Sequence, residues 1–396
     1  MLFQTLDNKK ECAGAYYDGN LHFGDELPEG ISETWSYSSS LRSRKIRYGY
    51  LQCGGESLDS VCPSHIKEDW EKINNKLKAY MRSFQLSKVC LEENCFYDLV
   101  PEKFLLKYCE IKNRITKHVL ENFLPSKNLR FLTSLFEVVG DINHQKLNVD
   151  IDGFKPFLAE YKAREWRKKI KNIPPYIKYD IFGTKTGRLT TKKNSFPILT
   201  LAKEYRGIIK PHNDWLVEFD FNAAELRTLL ALSDKEQPKE DIHEWNAKNV
   251  YRGLVTRDEA KRRIFAWLYN PESKDHLSDR AYDRDKVLKD CWDGSCVKTC
   301  FDREIEADKH HALNYVIQST TSDLFLDRVI DIFNLLEKRK SFVSFFIHDS
   351  LIIDFSDEDK ELLVELKEIF SNTKLGKFKV NISAGKNFGD MRELKI

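Results

Sequence analysis

The stretch Trp215-Leu-Val-Glu-Phe-Asp220-Phe-Asn-Ala-Ala-Glu225-Leu-Arg-Thr-Leu-Leu-Ala231 constrains this chain more than any other. It opens as a short apolar run that ends in a carboxylate, the pattern of a strand. It continues with apolar residues at helical spacing, namely Ala224, Leu226, Leu229 and Leu230. Asp220 is thereby expected at a strand-to-helix junction, where a side chain can face a cleft rather than a core. Two readings of that position stand side by side. In one, Asp220 or Asn222 caps the helix by accepting from its first free amides; in the other, Asp220 carries chemistry.

The rest of the chain has to decide between them. At 396 residues it is long enough for two or three domains or for one multi-lobed enzyme with a sizeable core. With 41% apolar and 32% charged residues the composition is that of an ordinary globular protein. No apolar run approaches the roughly 20 residues of a membrane span, so no membrane partner is expected. The opening Met1 to Lys10 has neither the apolar centre of a signal peptide nor the acid-poor character of a transit peptide. The expected location is the cytoplasm, that of the host if the chain is phage-encoded. The nine cysteines form no Cys-x-x-Cys pair and read as reduced thiols, and the spacing of Cys291, Cys296 and Cys300 matches no usual zinc pattern.

A net charge of +2 does not announce a nucleic-acid partner, but its distribution says more. From Lys162 to Lys193 there are eleven Lys or Arg against only Glu165 and Asp180. Such a segment can neutralise several backbone phosphates, although a solvated helix face gives the same pattern.

Taken in order, residues 1 to about 56 read as β-rich, with a hairpin from Cys12–Tyr17 through Asp18-Gly19 to Leu21–Phe23. Residues 64–136 read as helical, punctuated by Pro101 and Pro125. A helix over about 152–171 runs into the basic segment, and the Gly- and Thr-rich stretch around Thr186-Gly187-Arg188 reads as a loop. A helix is expected over 257–269, closed by Asn270-Pro271. Residues 270–305 read as charged and irregular, with a turn at Asp293-Gly294, before a helix over about 307–337. Phe342 to Phe355 reads as two apolar strands joined at His348-Asp349.

Chemistry enters with the second aspartate. Asp220 and Asp349 each end an apolar strand, and between them the helix over 257–269 carries Arg257, Lys261, Phe265 and Tyr269 at intervals of four, one gently winding stripe. Two cations at a helix N-terminus suit a polyphosphate, and two aromatics further along suit a base and sugar. Paired carboxylates suit two divalent ions that stabilise the attacking and leaving oxygens of a phosphoryl displacement. Read singly, Lys261 is more simply a solvated charge, and Phe265 and Tyr269 more simply core.

Taken together, Thr186-Gly-Arg188, Asp220-Phe-Asn-Ala-Ala-Glu225-Leu-Arg227, Arg257-x3-Lys261-x3-Phe265-x3-Tyr269, Asn314-x3-Gln318-x4-Asp323 and His348-Asp349 resemble the successive motifs of family A DNA polymerases, in that family's order, over about residues 145–390. The resemblance implies an α+β right-hand polymerase fold: an antiparallel palm sheet from 186–234 and 306–396, helical fingers from 235–305 and a shortened thumb at 150–185. A small N-terminal α/β region over 1–145 would be a degenerate exonuclease-like remnant beside the polymerase domain of 146–396.

The implied roles follow residue by residue. Asp220 and Asp349 would bind two Mg²⁺, for which Mn²⁺ can substitute, with the Phe221 carbonyl as a further ligand. Arg257 and Lys261 would hold the triphosphate, Lys261 also serving as proton donor to the departing pyrophosphate. Phe265 and Tyr269 would flank the nascent pair, Glu225 would be the steric gate against a ribose 2′-hydroxyl, and His243 would be a phosphate contact. Arg188 and Gln318 would donate to minor-groove edges near the primer terminus, where every Watson-Crick pair offers equivalent acceptors, with Thr186, Asn314 and His348 supporting the same DNA. The implied function is template-directed DNA synthesis from deoxynucleoside triphosphates on a primer-template. A processivity factor or separate exonuclease would be its partners.

Four departures qualify the resemblance. Ser350 replaces the acid that usually follows His-Asp, and His-Asp-Ser resembles single-subunit RNA polymerases instead; Glu225 and Phe265 favour DNA as product. Ala266 and Asn270 stand where glycines are common. Only about 35 residues separate Val149 from Thr186, hence the shortened thumb. The only Asp-x-Glu before residue 145 is Asp69-Trp-Glu71, inside a helical pattern, so no proofreading is expected. The alternatives are an RNA polymerase or primase-like nucleotidyltransferase and a catalytically idle nucleic-acid-binding accessory protein.

Overall fold

A computed structural model describes residues 2–5, 14–23, 27–31, 33–35, 37, 46–270 and 272–395. Cys12, where the first hairpin strand was expected to begin, and Pro271, expected to close a helix, lie outside the described residues. The chain divides into two compact units, Met1–Lys146 and Leu147–Ile396.

In the first unit the hairpin forms between Gly14–Tyr17 and Asn20–Phe23. Its two-residue turn, Asp18-Gly19, has positive φ at both positions, the geometry whose twist matches that of the strands it joins. These strands belong to a five-stranded sheet. Three helices follow, Ser64–Leu86, Glu102–Asn122 and Leu129–His144, the first two entered directly from Pro63 and Pro101, which cannot sit inside a helix without losing a backbone hydrogen bond. Ile66, Trp70 and Ile73 pack with Phe104, Leu105 and Tyr108 in one apolar cluster.

The second unit is built on an antiparallel sheet ordered Phe342–Ile347, Ser350–Phe355, Trp215–Phe221, Val380–Gly385 and Arg392–Glu393. The central strand, Trp215–Phe221, alternates: Phe219 and Phe221 are buried, while Glu218 and Asp220 point to the other face. The buried face is covered by helices. Phe221 stacks on Phe370 of the Leu363–Ser371 helix at 4.4 Å, and Phe325 of the long Lys309–Leu335 helix meets Phe346 edge-on at 6.1 Å. The sheet therefore has one apolar face committed to the core and one face carrying carboxylates.

Two expectations about elements need correction. The single helix over 152–171 is broken: Ile151–Phe157 is a 3-10 segment containing Pro156, and a true α-helix begins only at Tyr161 and ends at Lys171. Proline inside the run removes the donor that would have continued it. The stretch 270–305 is not irregular. It holds helices His276–Tyr282 and Arg284–Cys291 and a hairpin of Cys296–Lys298 with Glu304–Glu306. Charged residues there are engaged: the Arg284 guanidinium lies over the Trp267 ring at 4.3 Å and donates to the Trp267 carbonyl and to Asp279.

Candidate active site

Asp220 is paired within the strand, opposite Ser350 on one side and Asn381 on the other, rather than at its junction with the helix. Helix Ala224–Leu232 is entered through Ala223, which takes the left-handed conformation (φ 53°), and no side chain caps it. The cap reading of Asp220 and Asn222 is therefore overturned. Asn222 instead accepts from Arg227 and from the Ile242 amide and donates to Asp241. Asp220 is left facing the cleft.

Asp349 lies in the two-residue turn between Phe342–Ile347 and Ser350–Phe355, next to His348, whose positive φ tightens that turn. Because Ser350 pairs with Asp220, the register brings the two aspartates to the same end of the sheet. Their charges repel. Asp220 is pushed up to about 7, first by burial and then by Glu218 and Asp349, against an Asn381 hydrogen bond and the nearby Lys261 charge. Asp349 is pushed up to about 6 by burial, with Glu225 raising it further and Arg188 opposing. Two carboxylates held where ionisation is disfavoured are the donor set that a divalent cation relieves, since the ion supplies the missing positive charge. Phe221 ends the strand with its ring in the core, so only its backbone is available at the cleft.

Glu225 is buried in the first turn of its helix, accepting from Arg188 Nη2 at 2.6 Å and from the Tyr269 hydroxyl. Arg188 also approaches Asp349 at 3.9 Å. Burial and the Glu225 carboxylate push the Tyr269 phenol upward. One carboxylate thus ties the Thr186–Arg188 loop to the Arg257–Tyr269 helix.

That helix starts at a capping box, Thr256 with Glu259, and buries Ala260, Ile264, Trp267 and Leu268. Along the stripe of Arg257, Lys261, Phe265 and Tyr269 the two cations are exposed, Phe265 is half-buried against this core, and Tyr269 is 45% exposed and stacked on Phe265 at 6.0 Å. The core reading falls for Tyr269 and holds in part for Phe265. Arg257 is engaged within the chain, donating from Nε and Nη2 to Asp241 at 3.1 and 2.8 Å. A triphosphate would have to draw it out of that pair.

Among the other expected residues, Thr186 is buried ahead of Gly187, and Asn314 and Gln318 sit half-buried one turn apart on the Lys309–Leu335 helix. His348 keeps an exposed surface, while the protein packed around its ring partly desolvates it and, with the Arg188 and Arg206 charges, lowers its basicity. His243 is buried in the Ile242–Trp245 helix with its ring 5.7 Å from Phe265. Burial first, with Lys261, Arg257 and Arg227 adding to it and Asp241 opposing, lowers His243 to about 4.

A histidine lowered in the fold contributes stability above its ordinary value of 6.5, which is lost as pH falls toward 4. Urea unfolding of His243→Gln is accordingly expected to show a shallower loss of stability between pH 6.5 and 4 than the unmutated chain, by at most about 1.4 kcal/mol per pH unit. Parallel loss in the two proteins would place its titration elsewhere.

No protein-family model matches the sequence, and no curated protein matches it. Among solved structures, the polymerase domain of Pol1 from M. smegmatis, in complex with DNA primer-template and dNTP, matches with a TM-score of 0.61 at 12% identity, covering 98% of this chain and 95% of that one. This chain has the fold of a DNA polymerase domain. The match takes in residues well before the stretch of about 145–390 spanned by the sequence motifs. No helix among the described residues is long and apolar enough to cross a membrane.

Three residues that contact or neighbour the candidate site residues were not singled out from the sequence. Asp241 holds Arg257 and accepts from the amides of His243 and Glu244. Arg303 grips the buried Asp323 through Nε at 3.0 Å and Nη2 at 2.7 Å and lies so close to Gly187, whose φ is +77°, that a Cβ there would meet its Nη2 at 2.4 Å. Glu218, a charge two positions before Asp220 in an otherwise apolar strand, was legible from period-2 alternation alone.

Proposed function

We propose that the chain is a template-directed DNA polymerase that extends a primer 3′ end with deoxynucleotides by metal-assisted phosphoryl transfer. The observation that carries this reading is the convergence, at one end of the sheet, of Asp220 and Asp349 with Lys261 and with the Arg188–Glu225–Tyr269 group. Asp220, Asp349 and the Phe221 carbonyl would hold Mg²⁺, or Mn²⁺ in its place; bound there, the metal supplies charge stabilisation for the attacking and leaving oxygens. Lys261 stands within electrostatic reach of Asp220, where it neutralises phosphate charge and gives a proton to the departing pyrophosphate. Arg257, released from Asp241, and His243 would contact the triphosphate. Phe265 and Tyr269 offer a stacked aromatic pair to the base and sugar. Glu225 closes the space beside the sugar, while Arg188, Gln318, Asn314, His348 and Thr186 serve the DNA.

The test is extension of a labelled primer-template with one nucleotide at a time and Mg²⁺. Incorporation dictated by the template base is expected, with deoxynucleotides preferred over ribonucleotides. A preference for ribonucleotides would favour the RNA polymerase reading that Ser350 suggests, and no incorporation would favour a binding module.

We assign palm to 186–234 and 306–396, fingers to 235–305 and a reduced thumb to 150–185, whose only α-helix is the eleven-residue, lysine-rich Tyr161–Lys171. So small a basic surface neutralises few phosphates, dissociation competes early with extension, and single-encounter extension by the isolated chain is expected to end within roughly tens of nucleotides. Products of hundreds of nucleotides would overturn the reduced-thumb assignment. Asp69 and Glu71 lie on the Ser64–Leu86 helix, where Asp69 faces Lys107 at 3.7 Å, and we propose no intrinsic proofreading.

A further inference from the structure

On the carboxylate face of the sheet, Glu218 and Asp220 are two residues apart on one strand and so project side by side. The strand on one side contributes Ser350, the cross-strand partner of Asp220; the strand on the other contributes Ser383, the partner of Glu218. Both hydroxyls are spent on Glu218. Ser350 Oγ donates to Oε1 at 2.6 Å and Ser383 Oγ donates to Oε2 at 2.8 Å. The carboxylate is half-buried, and no ion pair to it is found among the described residues. A glutamate in the middle of an apolar strand, held by two hydroxyls and repelling a neighbouring acid, costs stability unless a cation arrives. Position 350, where an acid is expected after His-Asp, instead carries the serine that orients this glutamate.

We propose that Glu218 is a third acid serving the metal site, with Ser350 and Ser383 fixing the direction of its charge. This rests on Asp220 and Asp349 being the metal ligands. No three acidic, histidine or cysteine side chains among the described residues converge on a single point. Glu218 therefore acts outside direct coordination, through its field and through water bound to the ion, the place where outer partners tune affinity. It is a positioning residue for the cation rather than a catalytic one.

The test uses the full chain without DNA or nucleotide and reads free Mn²⁺ by electron paramagnetic resonance, alongside thermal unfolding in EDTA. Glu218→Gln is expected to weaken Mn²⁺ binding about tenfold, the lower end of what loss of an outer partner costs. Its unfolding midpoint in EDTA should stay at or above that of the unmutated chain, because a repulsive charge has gone. Glu218→Ser should weaken binding to the same degree, and the exchange Glu218→Ser with Ser350→Glu should recover most of it by placing the acid on the neighbouring strand.

Binding within twofold of normal in Glu218→Gln, with strong loss in Asp349→Asn, would overturn the role of Glu218 and leave the metal site standing. A lowered midpoint in EDTA with no recovery in the exchange variant would make Glu218 structural and also overturn it. Unchanged Mn²⁺ binding in Asp349→Asn would bring down the site reading itself, and this inference with it.

Discussion

Asp349→Ala is expected to lower the rate of primer extension by about a thousandfold or more while leaving primer-template binding within severalfold of normal. The magnitude follows from what the position would do. Losing a single preorganised donor to a developing oxyanion costs about 10²–10³ in rate. A carboxylate that helps hold the metal would support charge stabilisation at both the attacking and leaving oxygens, so a loss beyond about 4 kcal/mol of transition-state stabilisation is expected.

Folding should not suffer in proportion. Asp349 is pushed up to about 6 by burial, with Glu225 adding to the effect, so the metal-free fold holds its charge at a cost. Alanine removes that cost together with one weak contact to Arg188 at 3.9 Å. The thermal midpoint in EDTA should therefore be unchanged or raised, which separates lost chemistry from lost structure. Quench-flow extension and a fluorescence binding titration on the same protein check both halves. Near-normal extension by Asp349→Ala would remove the paired-carboxylate assignment. Normal binding with an unmutated chain equally unable to extend would favour the idle accessory protein.

How much of this was legible in the sequence depends on the range of the forces involved. The switch from an apolar run to helical spacing within Trp215–Ala231 located the central strand and the Ala224–Leu232 helix, because burial on one face fixes side-chain period locally. The Arg257–Tyr269 helix was readable to its ends, with Thr256 and Glu259 forming the box that starts it. Other features depended on partners distant in sequence. Nothing near Ala223 announces a left-handed residue, since the turn is set by the sheet on one side and by the helix packing on the other.

The Arg257–Asp241 pair was hidden for the same reason, as was the order in 270–305. There Trp267, Asp279 and Arg284 satisfy one another from separate helices, and a periodicity argument sees only charged residues. Pro156 is a different case, being a local signal that was present and outweighed by the helical pattern around it. The site shows the same division. Its residue types were visible one by one, whereas the link from Arg188 through Glu225 to Tyr269 exists only once the loop and two helices meet.

That link bears on the second large effect expected. Glu225→Ala should admit ribonucleotides, lowering the ratio of kcat/KM for deoxy- over ribonucleotide by about a hundredfold or more, the discrimination a site gains or loses around one hydroxyl. Glu225 is 6% exposed and held from both sides, by Arg188 and by the Tyr269 hydroxyl. It cannot swing aside for a 2′-hydroxyl without leaving both donors unpaired, so its rigidity gives the exclusion its strength. Alanine opens the volume and at the same time frees Arg188 and Tyr269, so efficiency with deoxynucleotides should also fall, by about tenfold for two hydrogen bonds lost beside the substrate. Glu225→Gln separates the two contributions: it keeps the volume and one acceptor but gives up the charge that Arg188 faces. Discrimination should survive in Glu225→Gln while deoxynucleotide efficiency drops. Ratios of kcat/KM measured for matched deoxy- and ribonucleotide pairs decide it. An unchanged ratio in Glu225→Ala removes the gate from this residue. An equal loss of discrimination in Glu225→Gln would show that the charge held against Arg188, rather than occupied space, rejects the ribose.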